Sequence, residues 1–290
     1  MSAAAAAGST TLGILAGGGE LPLRVARAAR DAGRSVFAVV LSGWGEPGQW
    51  AGLPHAVERP GAAGRILSRL RAERVRQLVL AGRARRPSVA ALRPDAVGMR
   101  IVARIGTGFL LGDDGLLRAV ARVLEEEGFE VVSPQSVLTG LLPSSGLLAG
   151  GPPDEAARAD IRRGIAVCRA LGAADVGQAV VVQQGLVLGV EAIEGTDALL
   201  ARCGGLRREG GGRGVLVKLA KPGQDRRLDL PAVGPDTVRH AAAAGLAGIA
   251  FGAGSTVLLD RERTVAAAEA AGLFLLALAP RETDGEENTR

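Results

Sequence analysis

The length, composition and charge of the chain exclude several classes of protein. Its 290 residues are 47% hydrophobic, enough for one large core or two medium ones, as in a globular protein. The formal net charge of +5 is mild, aromatic residues make up 2% of the chain, and Tyr is absent. Neither a strongly basic surface nor a base-stacking platform is therefore indicated. We expect no nucleic-acid partner, whereas small anionic ligands remain open.

Cysteine, histidine and the N-terminal residues predict a cytoplasmic setting. Cys168 and Cys203 lack CxxC spacing, and His55 and His240 are far apart in the sequence, so neither a zinc site nor a disulfide framework is indicated. The stretch "MSAAAAAGSTT" lacks the positive region and apolar core of a signal peptide. No apolar run approaches the ~18 residues needed to span a bilayer. Any membrane contact would then be peripheral.

Strand and helix patterns alternate through the first half of the chain. The strand patterns cover residues 11–16, 35–41, 77–82 and 130–133, and the helical patterns cover 21–33, 61–75 and 113–129. This alternation implies parallel strands joined by crossover helices. We predict an open, mostly parallel α/β sheet.

A change of composition marks the linker between two domains. Residues 134–155 are rich in Pro, Gly and Ser, so the predicted domains are 1–133 and 156–290. The second half begins with a helical pattern at 154–171, followed by two apolar runs, 178–185 and 186–192, that meet at a glycine. A short helix after "EGTD" and a strand at 214–220 follow. This order predicts a second α/β domain of different topology.

A glycine turn joins the first strand to the first helix. Gly17, Gly18 and Gly19 would let backbone N–H groups and the positive helix end approach a phosphate without a Cβ in the way. A tight turn without a ligand is the alternative. Pro22 stands where a dinucleotide fingerprint needs glycine, and no acid closes the second strand, which disfavours NAD.

Charged residues follow the third predicted strand and precede the helix at 113–129. Arg83, Arg85 and Arg86 lie where open α/β sheets bind ligands and could face a diphosphate, or they could form a solvated basic loop. Asp113 and Asp114 suit N-capping of the helix, with a polar ligand contact as the alternative.

The second half carries acids that could hold a hard divalent cation. Glu191, Glu194, Thr196 and Asp197 surround a strand-to-helix turn, and Asp225 and Asp229 follow in "QDRRLDLP". Oxygen ligands of this kind suit Mg²⁺, whose coordination is usually completed by waters and substrate phosphates. Acids in loops that only pair with arginines are the alternative.

The only two lysines of the chain, Lys218 and Lys221, stand close to this acidic segment. An ammonium is a compact point charge on a flexible stem and suits a phosphate oxygen, whereas guanidinium favours bidentate clamping. Two residues are also a small sample, so chance remains open at this point.

Several motifs then point to one family. "LGILAGGGELP", "RRPSVAALRPD", "GDDGLLR", "DVGQAVVVQQGLVLGVEAIEGTDALL" and "VKLAKPGQDRRLDLPAVG" occur in an order that resembles the LpxI-type UDP-2,3-diacylglucosamine pyrophosphatases, over residues 11–280. The resemblance implies hydrolysis of UDP-2,3-diacylglucosamine to UMP and 2,3-diacylglucosamine 1-phosphate in lipid A synthesis, with Mg²⁺ or another divalent cation. It also implies a Rossmann-like N-terminal domain, a family-specific C-terminal domain and water as the attacking group.

The resemblance also suggests roles for individual residues. The essential carboxylate of the DLP motif falls on Asp229, and we expect Lys218 and Lys221 to act with it on the phosphates. Asp197, Asp229 and Glu191 are the expected metal ligands. The expected substrate-binding residues are Gly17, Gly18, Gly19, Leu21, Gly82, Asp113, Gln178, Gly195, Thr196, Gln224 and Arg227.

The chain departs from the family pattern at a few positions. Ala232 stands where the family often has Thr, Leu111 where it often has Lys, and Arg83 with Ala84 where Asn-Val or Lys-Val is common. A phosphate or metal-water contact from the positions of Ala232 and Leu111 would be missing, and the excess Arg could substitute for the lost lysine charge.

Two other functions are weighed against this one, a non-catalytic two-domain clamp for a nucleotide-sugar or lipid phosphate and the disfavoured NAD(P)-dependent oxidoreductase. Metal-dependent turnover would separate the hydrolase from the clamp. We expect a cytoplasmic protein with transient, peripheral contact to the inner membrane, and the sequence leaves a homo-oligomer open.

Overall fold

The computed structural model describes residues 10–84, 88–106, 113–138, 140–208, 210, 212–228 and 230–284, with backbone alone at 89, 113, 114 and 284. The chain divides into two compact units. The first is Met1–Thr139 together with Asp225–Asp229, and the second is Gly140–Gln224 together with Leu230–Arg290. A short segment from late in the chain thus belongs to the first unit.

In the described part of the first unit, five parallel strands form a sheet of order β3-β2-β1-β4-β5. This is the Rossmann order, in which the strand sequence reverses between β1 and β4. The strands are β1 Thr11–Ala16, β2 Val36–Leu41, β3 His55–Glu58, β4 Val75–Ala81 and β5 Glu130–Val131. The helices are α1 Leu21–Asp31, α2 Ala63–Ala72, α3 Val89–Leu92, α4 Ala96–Ile105 and α5 Asp113–Glu126.

Helix α1 shows why these elements form where they do. Pro22 lies in its first turn, where a missing N–H costs nothing, and the apolar side chains recur at helical spacing. Leu23, Val25 and Ala26 are buried against the apolar residues of β1 and β2. Burial of this stripe, rather than helix propensity alone, stabilises the helix.

In the described part of the second unit, six strands form a mixed sheet of order β6-β13-β11-β9-β7-β8. Strands β9, β11 and β13 are mutually parallel, whereas β6, β7 and β8 pair antiparallel. These strands and the small parallel pair β10-β12 are β6 Gly146–Ala149, β7 Ala179–Gln183, β8 Leu186–Val190, β9 Val215–Lys218, β10 Ala232–Val233, β11 Gly248–Gly252, β12 Val257–Leu258 and β13 Phe274–Leu278. The helices are α6 Glu155–Ala173, α7 Gly195–Gly204, α8 Pro235–Ala243, α9 Arg261–Ala270 and α10 Pro280–Asp284.

The predicted fold class is confirmed, since a Rossmann-type parallel sheet is followed by a second α/β unit of different topology. The range 134–155 contains the 3-10 helix Pro134–Ser136 as well as β6, and the predicted linker bounds stay a prediction. Among the helices described, none is long and apolar enough to cross a membrane.

A buried carboxylate holds the β7-β8 hairpin. Asp160 on α6 is 3% exposed, and its two oxygens accept hydrogen bonds from the backbone N–H groups of Gln184 (2.9 Å) and Gly185 (2.7 Å). Both loop residues have positive φ, 52° and 75°, as a two-residue type I′ turn requires.

We expect Asp160→Ala to lower the free energy of unfolding by about 1–3 kcal/mol, because hydrogen bonds to a charged acceptor are lost at the turn. Urea denaturation measures this. Glu155→Ala on the same helix is the control, since it removes only an exposed ion pair to Arg162 and should change stability by less than about 1 kcal/mol. Equal losses in the two variants would contradict the role of Asp160.

Candidate functional site

The predicted glycine turn lies at the reversal point of the first sheet, where the carboxyl ends of β1 and β4 are adjacent. The N–H of Gly17 donates to the carbonyl of Ala81 (2.8 Å), and that of Gly18 to the carbonyl of Arg83 (2.8 Å). The N–H of Arg83 donates back to Gly18 (2.7 Å). Two of the three expected phosphate donors are therefore already bonded to backbone.

Close backbone approach explains why glycine is needed there. A Cβ at Gly17 would lie 2.5 Å from the carbonyl oxygen of Arg83, and one at Gly82, where φ is 96°, would lie 2.7 Å from that of Gly18. Glu20 also places a carboxylate at the start of α1, where it would repel a phosphate. The ligand roles of Gly17, Gly18, Gly19, Leu21 and Gly82 stay predictions.

Other predicted residues near this sheet are only partly described. Arg83 is exposed, whereas Arg85, Arg86 and Leu111 lie outside the described residues. Asp113 begins α5, as the predicted start of that helix requires, but its side chain is not among those described.

Arg227 belongs to the segment from late in the chain that is grouped with the first unit. Its guanidinium donates to Asp225 (2.8 Å), to Glu125 on α5 (2.7 Å) and to the carbonyl of Val131 (3.5 Å). The hydrogen bond from Arg227 holds the pKa of the Asp225 carboxyl below its usual range, and Asp225 and then Glu125 raise the pKa of Arg227. Leu228 is buried in the same core cluster as Phe129. Arg227 thus anchors its own segment, and its substrate role stays a prediction.

The second sheet carries a buried chain of hydrogen bonds built from three predicted site residues. Lys218, the last residue of β9, is 6% exposed and donates to the hydroxyl of Thr196 (2.7 Å) and to the carbonyl of Ala232 (3.0 Å). Thr196 lies in the first turn of α7, and its Oγ1 is 2.5 Å from Oε1 of Glu191. Glu191 is also 6% exposed. We name Lys218, Thr196 and Glu191 the Lys-Thr-Glu chain.

Chemistry fixes the directions of these bonds. An ammonium only donates and a carboxylate only accepts, so the Thr196 hydroxyl accepts from Lys218 and donates to Glu191. The second oxygen of Glu191 accepts from the N–H of Gln178 (3.1 Å). A buried charge of each sign is thereby joined through one hydroxyl, and the bonds strengthen one another in a medium of low dielectric constant. The ammonium is held in one place.

Strand pairing explains why these residues meet. Lys218 pairs with Ala179 at the start of β7, and Glu191 follows directly on the end of β8, which pairs antiparallel with β7. The N–H of Leu219 donates to the carbonyl of Gln178 (2.9 Å), which closes the arrangement. Gly195, with φ of 80°, turns the chain into α7 and brings Thr196 to the same edge.

The second lysine has a different partner. The ammonium of Lys221 lies 2.5 Å from a carboxylate oxygen of Asp175, in the turn after α6, and its side chain is 12% exposed. The N–H of Lys221 donates to Oε1 of Gln224 (2.9 Å), so the amide of Gln224 has a defined orientation. Asp175 was not predicted as a site residue, since its place before "VGQ" carries no chemical signal by itself.

The predicted metal ligands are not brought together among the described side chains. Both oxygens of Glu191 already accept hydrogen bonds, and Asp197, 52% exposed, pairs with His240 (3.1 Å). Asp229 lies outside the described residues. Within the described ranges no three His, Cys, Asp or Glu side chains form a group that could hold a metal ion. The roles of Asp197, Asp229 and Glu191 as metal ligands stay predictions.

Cys168 borders the Lys-Thr-Glu chain but has no reactive character. Burial raises the pKa of its thiol to about 12, and the Glu191 carboxylate acts in the same direction. The thiol therefore stays protonated at neutral pH, where it donates weakly to the carbonyl of Val217 (3.4 Å).

Taken together, these features define a two-domain α/β protein. It has a Rossmann-type sheet and, at the carboxyl end of strand β9 in the second sheet, a buried ammonium. Residues 11–141 match the model of the LpxI N-terminal domain, and residues 144–276 match that of the LpxI C-terminal domain. The chain is 41% identical over 276 residues to the UDP-2,3-diacylglucosamine pyrophosphatase LpxI of Caulobacter vibrioides, covering 93% of this chain and 98% of that protein. The chain belongs to the LpxI family.

Proposed function

We propose that this protein hydrolyses the pyrophosphate bond of UDP-2,3-diacylglucosamine, releasing UMP and 2,3-diacylglucosamine 1-phosphate for lipid A synthesis. The observation that carries the proposal is the 41% identity, over nearly the full length of both chains, to a relative that bears the name of this pyrophosphatase. The position of the Lys-Thr-Glu chain supports it, since a buried, positioned ammonium can stabilise charge on phosphoryl oxygens.

The roles of the individual residues follow from their chemistry. Lys218 is the proposed phosphate-binding cation, and Glu191, through Thr196, would hold its ammonium in position. Lys221 would add positive charge at the next turn, and Asp229 would act as general base or metal ligand. The proposal therefore gives Glu191 a positioning role in addition to its proposed place near the metal.

Mg²⁺ or another divalent cation is part of the proposal. Asp197 and Asp229, with Glu191, would hold it together with oxygens of the substrate, and when bound it would neutralise phosphate charge. The residues of the chain would still have to bind the diphosphate and orient the attacking water.

The substrate carries two acyl chains, so we propose a cytoplasmic protein that meets the inner membrane transiently. Ile193 is 95% exposed, and Leu206 and Leu186 are about half exposed, at 52% and 50%. Apolar side chains of this kind can enter a lipid surface reversibly. Light scattering with and without lipid vesicles would test this membrane contact, and it would also show whether the working form is a homo-oligomer.

The decisive experiment incubates the purified protein with UDP-2,3-diacylglucosamine and Mg²⁺, with and without EDTA, and follows both products by mass spectrometry. We expect release of UMP and 2,3-diacylglucosamine 1-phosphate that EDTA suppresses and excess Mg²⁺ restores. Turnover that EDTA leaves unchanged would refute the metal requirement alone. Tight binding without cleavage would refute the hydrolase and favour the two-domain clamp.

A further inference from the structure

Three buried side-chain atoms of the second unit lack a hydrogen-bond partner among the described residues. They are Oε1 of Gln178, Nε2 of Gln224 and Oγ1 of Thr256. Thr256 is 0% exposed and Gln224 is 9% exposed. A buried polar atom without a partner lowers stability, and such atoms are uncommon enough in native proteins that each one calls for an explanation.

All three atoms belong to segments around the carboxyl ends of β9 and β11. Lys218 ends β9 and pairs with Ala179, which directly follows Gln178, and with Phe251, near the end of β11. Gln224 is bonded to the turn that follows β9, and Thr256 ends the loop that follows β11. In parallel α/β sheets this edge is where ligands bind.

Thr256 is connected to Lys218 through backbone hydrogen bonds. Val257 directly follows Thr256, pairs with Ala232 across the small β10-β12 sheet, and donates its N–H to the carbonyl of Pro231 (2.8 Å). The carbonyl of Ala232 accepts from the ammonium of Lys218 (3.0 Å). The Lys218 side chain is thus bonded to β10, and Thr256 directly precedes β12, the strand that pairs with β10.

The loop before Thr256 has one long backbone hydrogen bond among shorter ones. The N–H of Ser255 donates to the carbonyl of Gly252 at 3.4 Å, whereas those of Ala253 and Gly254 donate to the carbonyls of Leu278 (2.9 Å) and Pro143 (3.1 Å). Gly254 has φ of 64° and no atom within 4 Å of an added Cβ, so it faces open space. Contact between the 0% exposed Thr256 hydroxyl and a ligand would require this turn to move.

We propose that Thr256 is a further substrate-contact residue, whose hydroxyl donates to a phosphate oxygen held at this edge. The donors here are the Lys218 ammonium, the Gln224 amide and the Thr256 hydroxyl, which match the acceptor oxygens of a phosphate ester. The Gln178 carbonyl would accept from a sugar hydroxyl of the same ligand. The choice of a sugar phosphate rests on the proposed function.

Thr256→Val tests the inference, because valine has the same shape without the hydroxyl. Thr264→Val is the matched control, since Thr264 is also 0% exposed but its hydroxyl donates to the carbonyl of Leu259 (2.5 Å). For each variant we would measure the thermal midpoint without ligand and the Kd for glucosamine 1-phosphate and for inorganic phosphate.

We expect Thr256→Val to raise the midpoint, because it removes an unpartnered buried hydroxyl, and to weaken glucosamine 1-phosphate binding about tenfold, the effect of one lost hydrogen bond. Thr264→Val should lower the midpoint and leave Kd unchanged. A lowered midpoint with unchanged Kd for Thr256→Val would overturn the inference. The Kd is measured without turnover, so this result is independent of the hydrolase test. If the unmodified protein cleaves the substrate but Thr256→Val binds glucosamine 1-phosphate with an unchanged Kd, only the Thr256 contact is refuted.

Discussion

Asp229→Asn should lower kcat by about 10²-fold or more and leave the unfolding midpoint within a degree or two of wild type. The expected size is that of losing a general base or a metal ligand. Asn keeps the shape of the side chain but cannot take up a proton or neutralise a cation. The measurement is the initial rate of UMP release at saturating UDP-2,3-diacylglucosamine, with circular dichroism as the check on the fold.

Asp225→Asn is the matched control, since it lies four residues earlier in the same segment and accepts from Arg227. It should weaken the anchoring of the segment and lower kcat less than tenfold. A Mg²⁺ titration of Asp229→Asn separates the two roles of Asp229. A metal ligand predicts partial recovery at high Mg²⁺, whereas a general base predicts none, and near-normal turnover would contradict both.

The first sheet could be predicted from the sequence because its signals are local. Residues 36–41 are a continuous apolar run and residues 12–16 contain no polar side chain, and helical patterns follow them at a spacing that favours crossover connections. Strand β3 was missed because its four residues, His55–Glu58, are too short to show a period. Helix α4 was missed although the Asp95 side chain caps its N-terminus by accepting from Gly98, because Gly98 lowers the helix propensity of its first turn.

The second sheet could be predicted only in part because its order depends on distant pairings. The β7-β8 hairpin is visible as two apolar runs that meet at a glycine. Nothing local in Val215–Lys218 shows that β9 pairs antiparallel with β7 on one side and parallel with β11 on the other. Strands β10 and β12 have two residues each and exist only because they pair with each other.

The sequence names residues of the candidate site but not their contacts. Lys218, Thr196 and Glu191 were all predicted as site residues, but residue type alone does not reveal that Thr196 and Gln178 donate to the two oxygens of Glu191. The metal role of Glu191 stays a prediction. For the glycine turn, the structure shows a packing reason that the sequence alone did not reveal. Gly17 and Gly18 suited a phosphate by composition, yet an added Cβ would lie 2.5 Å from the carbonyl oxygen of Arg83 at Gly17 and 2.7 Å from that of Trp44 at Gly18, which gives a packing reason for both.

The second large effect is expected for Lys218→Met. The variant keeps the aliphatic stem but removes the ammonium, so the Ala232 carbonyl loses its donor and the Glu191 carboxylate remains as a buried charge without a cation bonded through Thr196. We expect the free energy of unfolding to fall by about 1–3 kcal/mol. We also expect kcat/KM to fall by about 10²-fold or more, because a positioned cation no longer meets the phosphate. Lys221→Met, which breaks a more exposed pair with Asp175, should lose less of both.

Adding Glu191→Gln to Lys218→Met separates stability from catalysis. The new amide can accept from the N–H of Gln178 with its oxygen and donate to Thr196 with its nitrogen, since that hydroxyl no longer accepts from an ammonium. No buried charge then remains in the Lys-Thr-Glu chain, and the double variant should recover most of the lost stability. Its kcat/KM should not rise above that of Lys218→Met, because the phosphate still lacks its cation and a proposed metal ligand is also removed. Recovery of turnover together with stability, in urea melts and UMP-release assays on the same preparation, would reduce Lys218 to a structural residue.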